Sequence, residues 1–315
     1  RAAAASPAHS RELLLEAATI AENELGDVPA ATRCLEELVA HAPNDVTVME
    51  KLAALYRAAQ RGSDLLALRK KQLELAADAD ERVRIRLDIA SVLEETGDAD
   101  ARVAVLEANL RDDPRESRSV AALATTFEAL GRWGDLLTLW ESQAQFADFA
   151  GDAKGAAALW RRSASLAEDR LGDPARAISD YERATDDPSA LRALADLYVR
   201  RGEPLAAARA GERLLETATE DERVDVLLRL ASAYVAGNDA PSARRKLEAA
   251  LAERIDGRLR SALANLYRLT EAWAPLADLL VSEARLADDD AERAELLQEA
   301  AGLHLDKRGD PAAAI

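Results

Sequence analysis

The sequence has little of the chemistry that enzymes commonly use. It contains one cysteine, Cys34, and three histidines among 315 residues. A single cysteine excludes an intramolecular disulfide and a cysteine metal cluster, and three separated histidines leave little material for a nucleophilic triad. A GxSxG elbow, a glycine-rich phosphate loop, an HExxH helix and an EF-hand loop are also absent. We therefore expect no enzyme activity, no cofactor and no metal site.

Long apolar runs and excess positive charge are missing as well. No run of 18 apolar residues occurs, so the sequence predicts no transmembrane segment. The formal net charge is −17, whereas proteins that bind nucleic acid non-specifically need a basic face that releases counterions from phosphates. We therefore expect no nucleic-acid partner. The chain begins with Arg1 rather than Met, so any targeting signal lies outside it, and both cytoplasm and periplasm remain open.

Aromatic residues make up only 4% of the chain, although 49% of the residues are hydrophobic. A core of this composition consists mostly of Leu, Ala and Val, which is typical of thin helical layers rather than one thick globular core. The 14 glycines and 10 prolines fall mainly between segments of helical apolar periodicity. The sequence therefore predicts an all-α chain.

Nine alanines recur within those periodic segments, at intervals of 31 to 40 residues. These marker alanines are Ala18, Ala53, Ala90, Ala124, Ala164, Ala195, Ala231, Ala264 and Ala301. A period near 35 residues in a helical sequence is typical of stacked helical hairpins. A small residue is needed where two helices cross closely, because a larger side chain would separate their axes. The pattern predicts a helical-hairpin solenoid of about nine hairpins without a β-sheet.

Two kinds of hairpin alternate, which predicts a repeat unit of about 71 residues. In the Gly-Asp hairpins a glycine ends the first helix and the next aspartate caps the second. Their turns are Gly26-Asp27, Gly97-Asp98, Gly172-Asp173, Gly309-Asp310 and the variant Gly237-Asn238-Asp239. The aromatic hairpins carry an aromatic residue three positions after the marker alanine. These residues are Tyr56, Phe127, Tyr198 and Tyr267, spaced 71, 71 and 69 residues apart.

This spacing resembles the tetratricopeptide repeat (TPR) family. The residues that carry the resemblance are Leu191, Leu194, Ala195, Tyr198, Gly202 and Ala207. The resemblance covers residues 11–315 and implies a right-handed superhelix that binds a protein or peptide along a concave face lined by the first helices. The paired hairpins also resemble arrays in large bacterial multi-repeat proteins. We expect a flexible linker over residues 1–9 and one repeat domain over residues 10–315, which belongs to a longer array.

The resemblance also implies where a partner binds. The concave-face residues are Arg161, Ser165, Arg192, Asp196, Asn265 and Arg268. They combine charge with small hydrogen-bonding groups, and arginine can bind a carboxylate with two parallel hydrogen bonds. Arg192 and Asp196 stand where some family members have the Lys and Asn that bind a C-terminal carboxylate, so that specificity is not carried over.

An aromatic cluster offers an alternative site. It comprises Trp133, Trp140, Phe146 and Phe149, close to the longest interval between marker alanines. Such residues often anchor interfaces, but they could equally fill a wider hairpin junction. Two further roles remain open beside a peptide-binding scaffold. The chain could be a structural subunit that docks other chains through its convex face or its ends, or the sensor segment of a regulator.

Overall fold

The computed structural model describes residues 7–184 and 187–307, with side chains from Ser10 onward. These residues form seventeen α-helices and a π-helical turn, Leu303–Lys307, and contain no strand. The helices are α1 (Pro7–Asn23), α2 (Val28–His41), α3 (Val46–Ala58), α4 (Gly62–Leu75), α5 (Ala79–Thr96), α6 (Ala99–Asp112), α7 (Ser117–Leu130), α8 (Trp133–Phe149), α9 (Ala153–Asp169), α10 (Pro174–Arg183), α11 (Pro188–Arg200), α12 (Pro204–Thr217), α13 (Glu220–Ala236), α14 (Ala240–Glu253), α15 (Gly257–Leu269), α16 (Trp273–Ala284) and α17 (Asp290–Gly302).

The chain divides into two compact units, residues 1–146 and residues 147–315. Helices α1–α7 of the first unit and α9–α17 of the second pack against one another in chain order, and the odd-numbered helices are the first helices of the predicted hairpins. The predicted all-α hairpin fold is therefore confirmed. Helix α17 is the first helix of the ninth hairpin, and the turn predicted at Gly309-Asp310 lies outside the described residues. The prediction of a single domain over residues 10–315 stays a prediction.

Small residues lie where the helices cross, as the repeat predicts. Seven of the nine marker alanines are buried, among them Ala53 and Ala164, both at 0% exposure. Ala195 and Ala301 are only half-buried. For Ala195 the expectation of a tight crossing is wrong, because this residue faces a pocket described below.

The turns follow the predicted chemistry, with one change of residue. Gly97 adopts a positive φ of 77°, and the carboxylate of the next residue, Asp98, accepts a hydrogen bond from Ala101 N at 3.1 Å. In the variant turn the positive φ belongs to Asn238 (59°) rather than to Gly237. In the aromatic hairpins the same conformation recurs at Gln60, Gly131, Gly202 and Glu271. The turn geometry is thus retained where the glycine is lost.

Tyrosines join neighbouring hairpins through carboxylates. Tyr56 on α3 donates a hydrogen bond to Glu36 on α2 at 2.9 Å, and Tyr198 on α11 donates to Glu182 on α10 at 2.6 Å. Burial, reinforced by the adjacent carboxylates, raises the pKa of four of the five tyrosines to about 12. These are Tyr56, Tyr181, Tyr198 and Tyr234. The folded structure therefore favours the neutral phenol over the phenolate at these four tyrosines.

Alkaline titration should show that the tyrosines ionise at higher pH in the folded chain than in the unfolded chain. In the unfolded chain the phenols ionise near pH 10, about their ordinary value, whereas in the folded chain ionisation is displaced towards pH 12. Because the folded pKa values are raised, the associated stability is fully present below about pH 10 and is lost as the pH rises towards 12. Tyrosinate absorbance of the native and urea-unfolded chain measures both curves. Coincident curves would contradict this assignment.

Candidate functional site

The six predicted concave-face residues lie on three first helices of the second unit. Helix α9 carries Arg161 and Ser165, α11 carries Arg192 and Asp196, and α15 carries Asn265 and Arg268. Asp196, Asn265 and Arg268 are exposed, and the other three are half-buried. All six lie on first helices, and their assignment to a concave binding face stays a prediction.

The arginines among them already have acidic partners, which the sequence reasoning did not find. Arg161 Nε lies 2.7 Å from an Asp187 carboxylate oxygen, and Arg192 Nη2 lies 3.1 Å from Glu222. Arg268 Nη2 lies 2.8 Å from Glu299. Each acid belongs to the following first helix or caps it. Acidic residues placed about one repeat after an arginine were the available signal in the sequence.

The same arrangement recurs in both units, and we call it the ionic ladder. Its pairs join consecutive first helices and are Arg11–Asp45, Glu50–Arg84, Arg57–Asp88, Arg161–Asp187, Glu168–Arg200, Arg192–Glu222, Asp196–Arg229, Asp225–Arg258 and Arg268–Glu299. Solvent-exposed pairs of this kind contribute about 0–1 kcal/mol each. They can therefore exchange partners at little cost.

A pocket of about 480 Å³ opens between α11, α12 and α13 of the second unit. Its lining is Arg192, Ala195, Asp196, Val199, Gly202, Pro204, Ala207, Gly211, Leu214, Val226, Arg229, Leu230, Ser232, Ala233 and Ala236. Most of these side chains are apolar and small. Two of the predicted concave-face residues, Arg192 and Asp196, are among them. The pocket thus places apolar surface directly beside the ionic ladder.

The pocket follows from the composition of α12. At the position of Gly211 the other three aromatic hairpins carry Arg69, Trp140 and Leu280, at the same spacings of 71, 71 and 69 residues. At the position of Ala207 the same three hairpins each carry a leucine. These are Leu65, Leu136 and Leu276. Helix α12 therefore lacks the large side chains that occupy this space elsewhere in the array.

Close helix packing leaves room for an alanine at this position. A Cβ atom added to Gly211 would lie 3.4 Å from Leu230 Cδ1, 3.7 Å from its Cβ and 3.9 Å from its Cα, which are ordinary van der Waals contacts. Glycine in a helix interior destabilises by about 0.5–1 kcal/mol relative to alanine. The sequence therefore retains an unfavourable residue at a position where its absence of a side chain keeps the pocket open.

The first unit has a pocket at the equivalent place, but it is polar. It measures about 440 Å³ and lies against α3, α4 and α5. Arg69 is 3% exposed, and its guanidinium lies 2.7 Å from Glu50 and 2.6 Å from Asp88. Partial burial opposes ionisation of Glu50, but hydrogen bonds from Arg84 and Arg69 outweigh it and lower the pKa of this carboxyl group. The Arg69 side chain thus occupies the position that is empty at Gly211 in the second unit, and a polar pocket remains beside it.

Comparisons with known proteins address the fold. No protein-family model and no curated protein matches the sequence. A structure of Naa15/Naa10 bound to HypK-THB aligns with 98% of this chain and 52% of its own, at 15% identity and a TM-score of 0.44. A tetratricopeptide repeat protein from Parabacteroides merdae aligns with 82% of this chain and 98% of its own, at 14% identity and 0.36. The MamA protein aligns with 55% of this chain and 91% of its own, at 20% identity and 0.34.

The chain spans about half the length of the Naa15/Naa10 chain that it matches. Its own hairpins combine small residues at the crossings, an aromatic residue after the marker alanine and a left-handed turn residue. The chain is a TPR-like helical-repeat protein. Its two pockets lie at equivalent places in two TPR-like hairpin pairs, one lined mostly by charged side chains and the other mostly by small apolar ones.

The aromatic cluster of this TPR-like array is unevenly exposed. Trp133 and Trp140 are half-buried in the first unit, where Phe146 is 37% exposed. Phe149, in the second unit, is 94% exposed. Trp160, their neighbour in sequence, is a core residue at 1% exposure and donates from Nε1 to Asp148 at 2.8 Å. The alternative site stays a prediction.

The part of the TPR-like chain that the structure describes contains no group of three or more His, Cys, Asp or Glu side chains arranged to hold a metal ion. Within the same residues, every helix is too short or too polar to cross a lipid bilayer. His304 is buried, at 7% exposure.

Proposed function

We propose that this TPR-like chain is a non-catalytic scaffold that binds a peptide or protein segment along the first helices of its second unit. The pocket between α11, α12 and α13 anchors the segment. The flanking contacts are Arg161, Ser165, Arg192, Asp196, Asn265 and Arg268. The observation that carries the proposal is the open pocket beside Gly211, where the other aromatic hairpins have a large side chain.

Size and composition support this use of the pocket. Its volume of about 480 Å³ falls within the range of about 300–1,000 Å³ that is common for ligand sites, and such sites combine apolar walls with a few polar groups. Binding energy at protein interfaces is concentrated in side chains that fill pockets of this kind. The exposed ion pairs at its rim hold their arginines weakly enough for a partner's charges to compete.

Filling the pocket should remove partner binding without unfolding the chain. In Gly211→Leu the new side chain occupies the space as Leu280 does in α16, so we expect a partner to lose at least about 30-fold in affinity, the effect of removing one anchor of about 2 kcal/mol. Gly211→Ala is the matched control: it should stabilise α12 by about 0.5–1 kcal/mol and retain most of the affinity.

The partner is first captured from a source lysate with the wild-type chain, and calorimetric titrations then compare the two variants. Thermal melts monitor the fold. Unchanged affinity in Gly211→Leu, together with loss of binding on substitution of Trp133 or Trp140, would place the site at the aromatic cluster instead.

A further inference from the structure

The two equivalent pockets carry charges of opposite sign at two matching positions, although the first pocket is also lined by Arg57, Arg84 and Arg118. Glu50 and Asp88 flank the first, and the residues at the same repeat positions beside the second are Arg192 and Arg229. Fixed backbone features support this correspondence. The turn residues Gly97 and Asn238, both with positive φ, stand 141 residues apart, and so do the helix caps Asp78 and Thr219.

In the first unit the central group is a cation supplied by the chain. The Arg69 side chain is buried, and its guanidinium contacts both Glu50 and Asp88. Gln72 also accepts a hydrogen bond from Arg69 Nη1, at 2.7 Å. An aliphatic stem with a charged head thus lies against this pocket, and both acids beside it bind that head.

The second unit has neither the aliphatic stem nor the guanidinium that Arg69 supplies in the first, and the two flanking charges have the opposite sign. Gly211 supplies no side chain, Leu214 stands where Gln72 lies, and arginines stand where the two acids lie. Val226 and Leu230 complete an apolar wall. The space therefore fits an aliphatic stem, and the two arginines favour a negative head.

We propose that the occupant is an acidic side chain of the partner, with glutamate fitting best. Its methylene groups lie against Leu214, Val226 and Leu230, and its carboxylate is bound by Arg192 and Arg229. This inference rests on the proposed function and specifies its anchor. Two arginines and one aspartate among the lining residues give the pocket a net positive charge within a chain of net charge −17. Charge-assisted hydrogen bonds from arginine to a carboxylate are about twice as strong as neutral ones.

The present partners of these arginines can be displaced. Arg192 lies 3.1 Å from Glu222, and Arg229 lies 3.1 Å from Asp196. All four side chains are at least 40% exposed, so water can solvate either acid after exchange. By contrast, Arg69 in the first unit is 4% exposed in its side chain and held by two acids. An external anion can therefore compete for Arg192 and Arg229, whereas the buried Arg69 is not available to one.

Three small probes of one chain length test the proposal on the full chain. Hexanoate, hexanamide and hexylammonium share an aliphatic stem and differ in the charge of the head. Methyl NMR shifts of Leu214, Val226 and Leu230 report binding in the pocket. We expect hexanoate to bind about tenfold more tightly than hexanamide, because charged hydrogen bonds add about 1.5 kcal/mol. Hexylammonium should bind most weakly.

Restoring the signs of the first unit should reverse this order. In Arg192→Glu/Arg229→Asp we expect hexylammonium to bind more tightly than hexanoate. Arg209→Glu/Arg285→Glu changes the net charge equally at exposed positions outside the pocket lining, and it should keep the wild-type order.

Equal binding of hexanoate and hexanamide to the wild type would overturn the acidic anchor, and so would the absence of shifts at these methyl groups with all three probes. The scaffold proposal is decided separately, by Gly211→Leu with the captured partner. If the partner's anchor is apolar instead, Gly211→Leu loses partner binding, but the wild type binds hexanoate no more tightly than hexanamide.

Discussion

Replacing Ala164 with leucine is expected to destabilise the second unit by about 1–3 kcal/mol. Ala164 lies on α9 at 0% exposure, in the helix that packs against α10. Three extra carbon atoms at a filled crossing force side chains off their preferred rotamers or separate the helices. Urea unfolding followed by circular dichroism gives the change in free energy.

Ala195→Leu is the matched control for this effect. Ala195 occupies the same repeat position, but it is half-buried and faces the pocket beside Gly211. The added side chain can extend into that space, so we expect a change within about 0.5 kcal/mol. Equal destabilisation by the two substitutions would mean that the pocket is closed in solution.

The second large effect is expected for Arg69→Ala in the first unit. Removing the buried guanidinium takes a shared cation from Glu50 and Asp88, which keep Arg84 and Arg57 as partners. The loss of one member of a buried ion pair typically costs about 3–5 kcal/mol, and because both acids are partly exposed and keep a second arginine, we expect about 2 kcal/mol. Arg84→Ala removes an exposed arginine from the same Glu50 and should cost at most about 1 kcal/mol.

The pH dependence of the destabilisation by Arg69→Ala shows whether lost charge pairing causes it. The folded pKa of Glu50 is lowered, so its contribution is present above its unfolded pKa, near 4.3, and is lost as the pH falls through the folded pKa. The gap in unfolding free energy between wild type and Arg69→Ala should therefore narrow in acid. A gap that is constant down to low pH would indicate lost packing rather than lost charge pairing.

Local chemistry explains why most of the fold could be predicted from the sequence. A glycine followed by aspartate specifies a left-handed residue and a cap within two positions, and the structure has this arrangement at Gly97 and Asp98. The turn at Glu271 was harder to predict, because its side chain gives no sign of a positive φ of 53°. Only its spacing from Gly202 indicates the turn.

The site could be predicted only in part, because it depends on several helices at once. Whether a small residue such as Ala195 lies at a tight crossing or beside a pocket is decided by Gly211 on another helix and by α13. Comparing Gly211 with Arg69, Trp140 and Leu280 would have revealed the missing volume from the sequence alone. The ion pair between Arg192 and Glu222 also required side-chain positions.

The charges of the ionic ladder favour the native order of the hairpins over other orders. Placing α13 directly after α3 would set Glu50 against Asp225, at the position where Arg84 now lies. Placing α5 after α11 would set Asp196 against Asp88, where Arg229 now lies. Like charges in direct contact disfavour such junctions. Repeats with the same backbone therefore differ in the neighbour they favour, and at these two junctions the charges favour the native order.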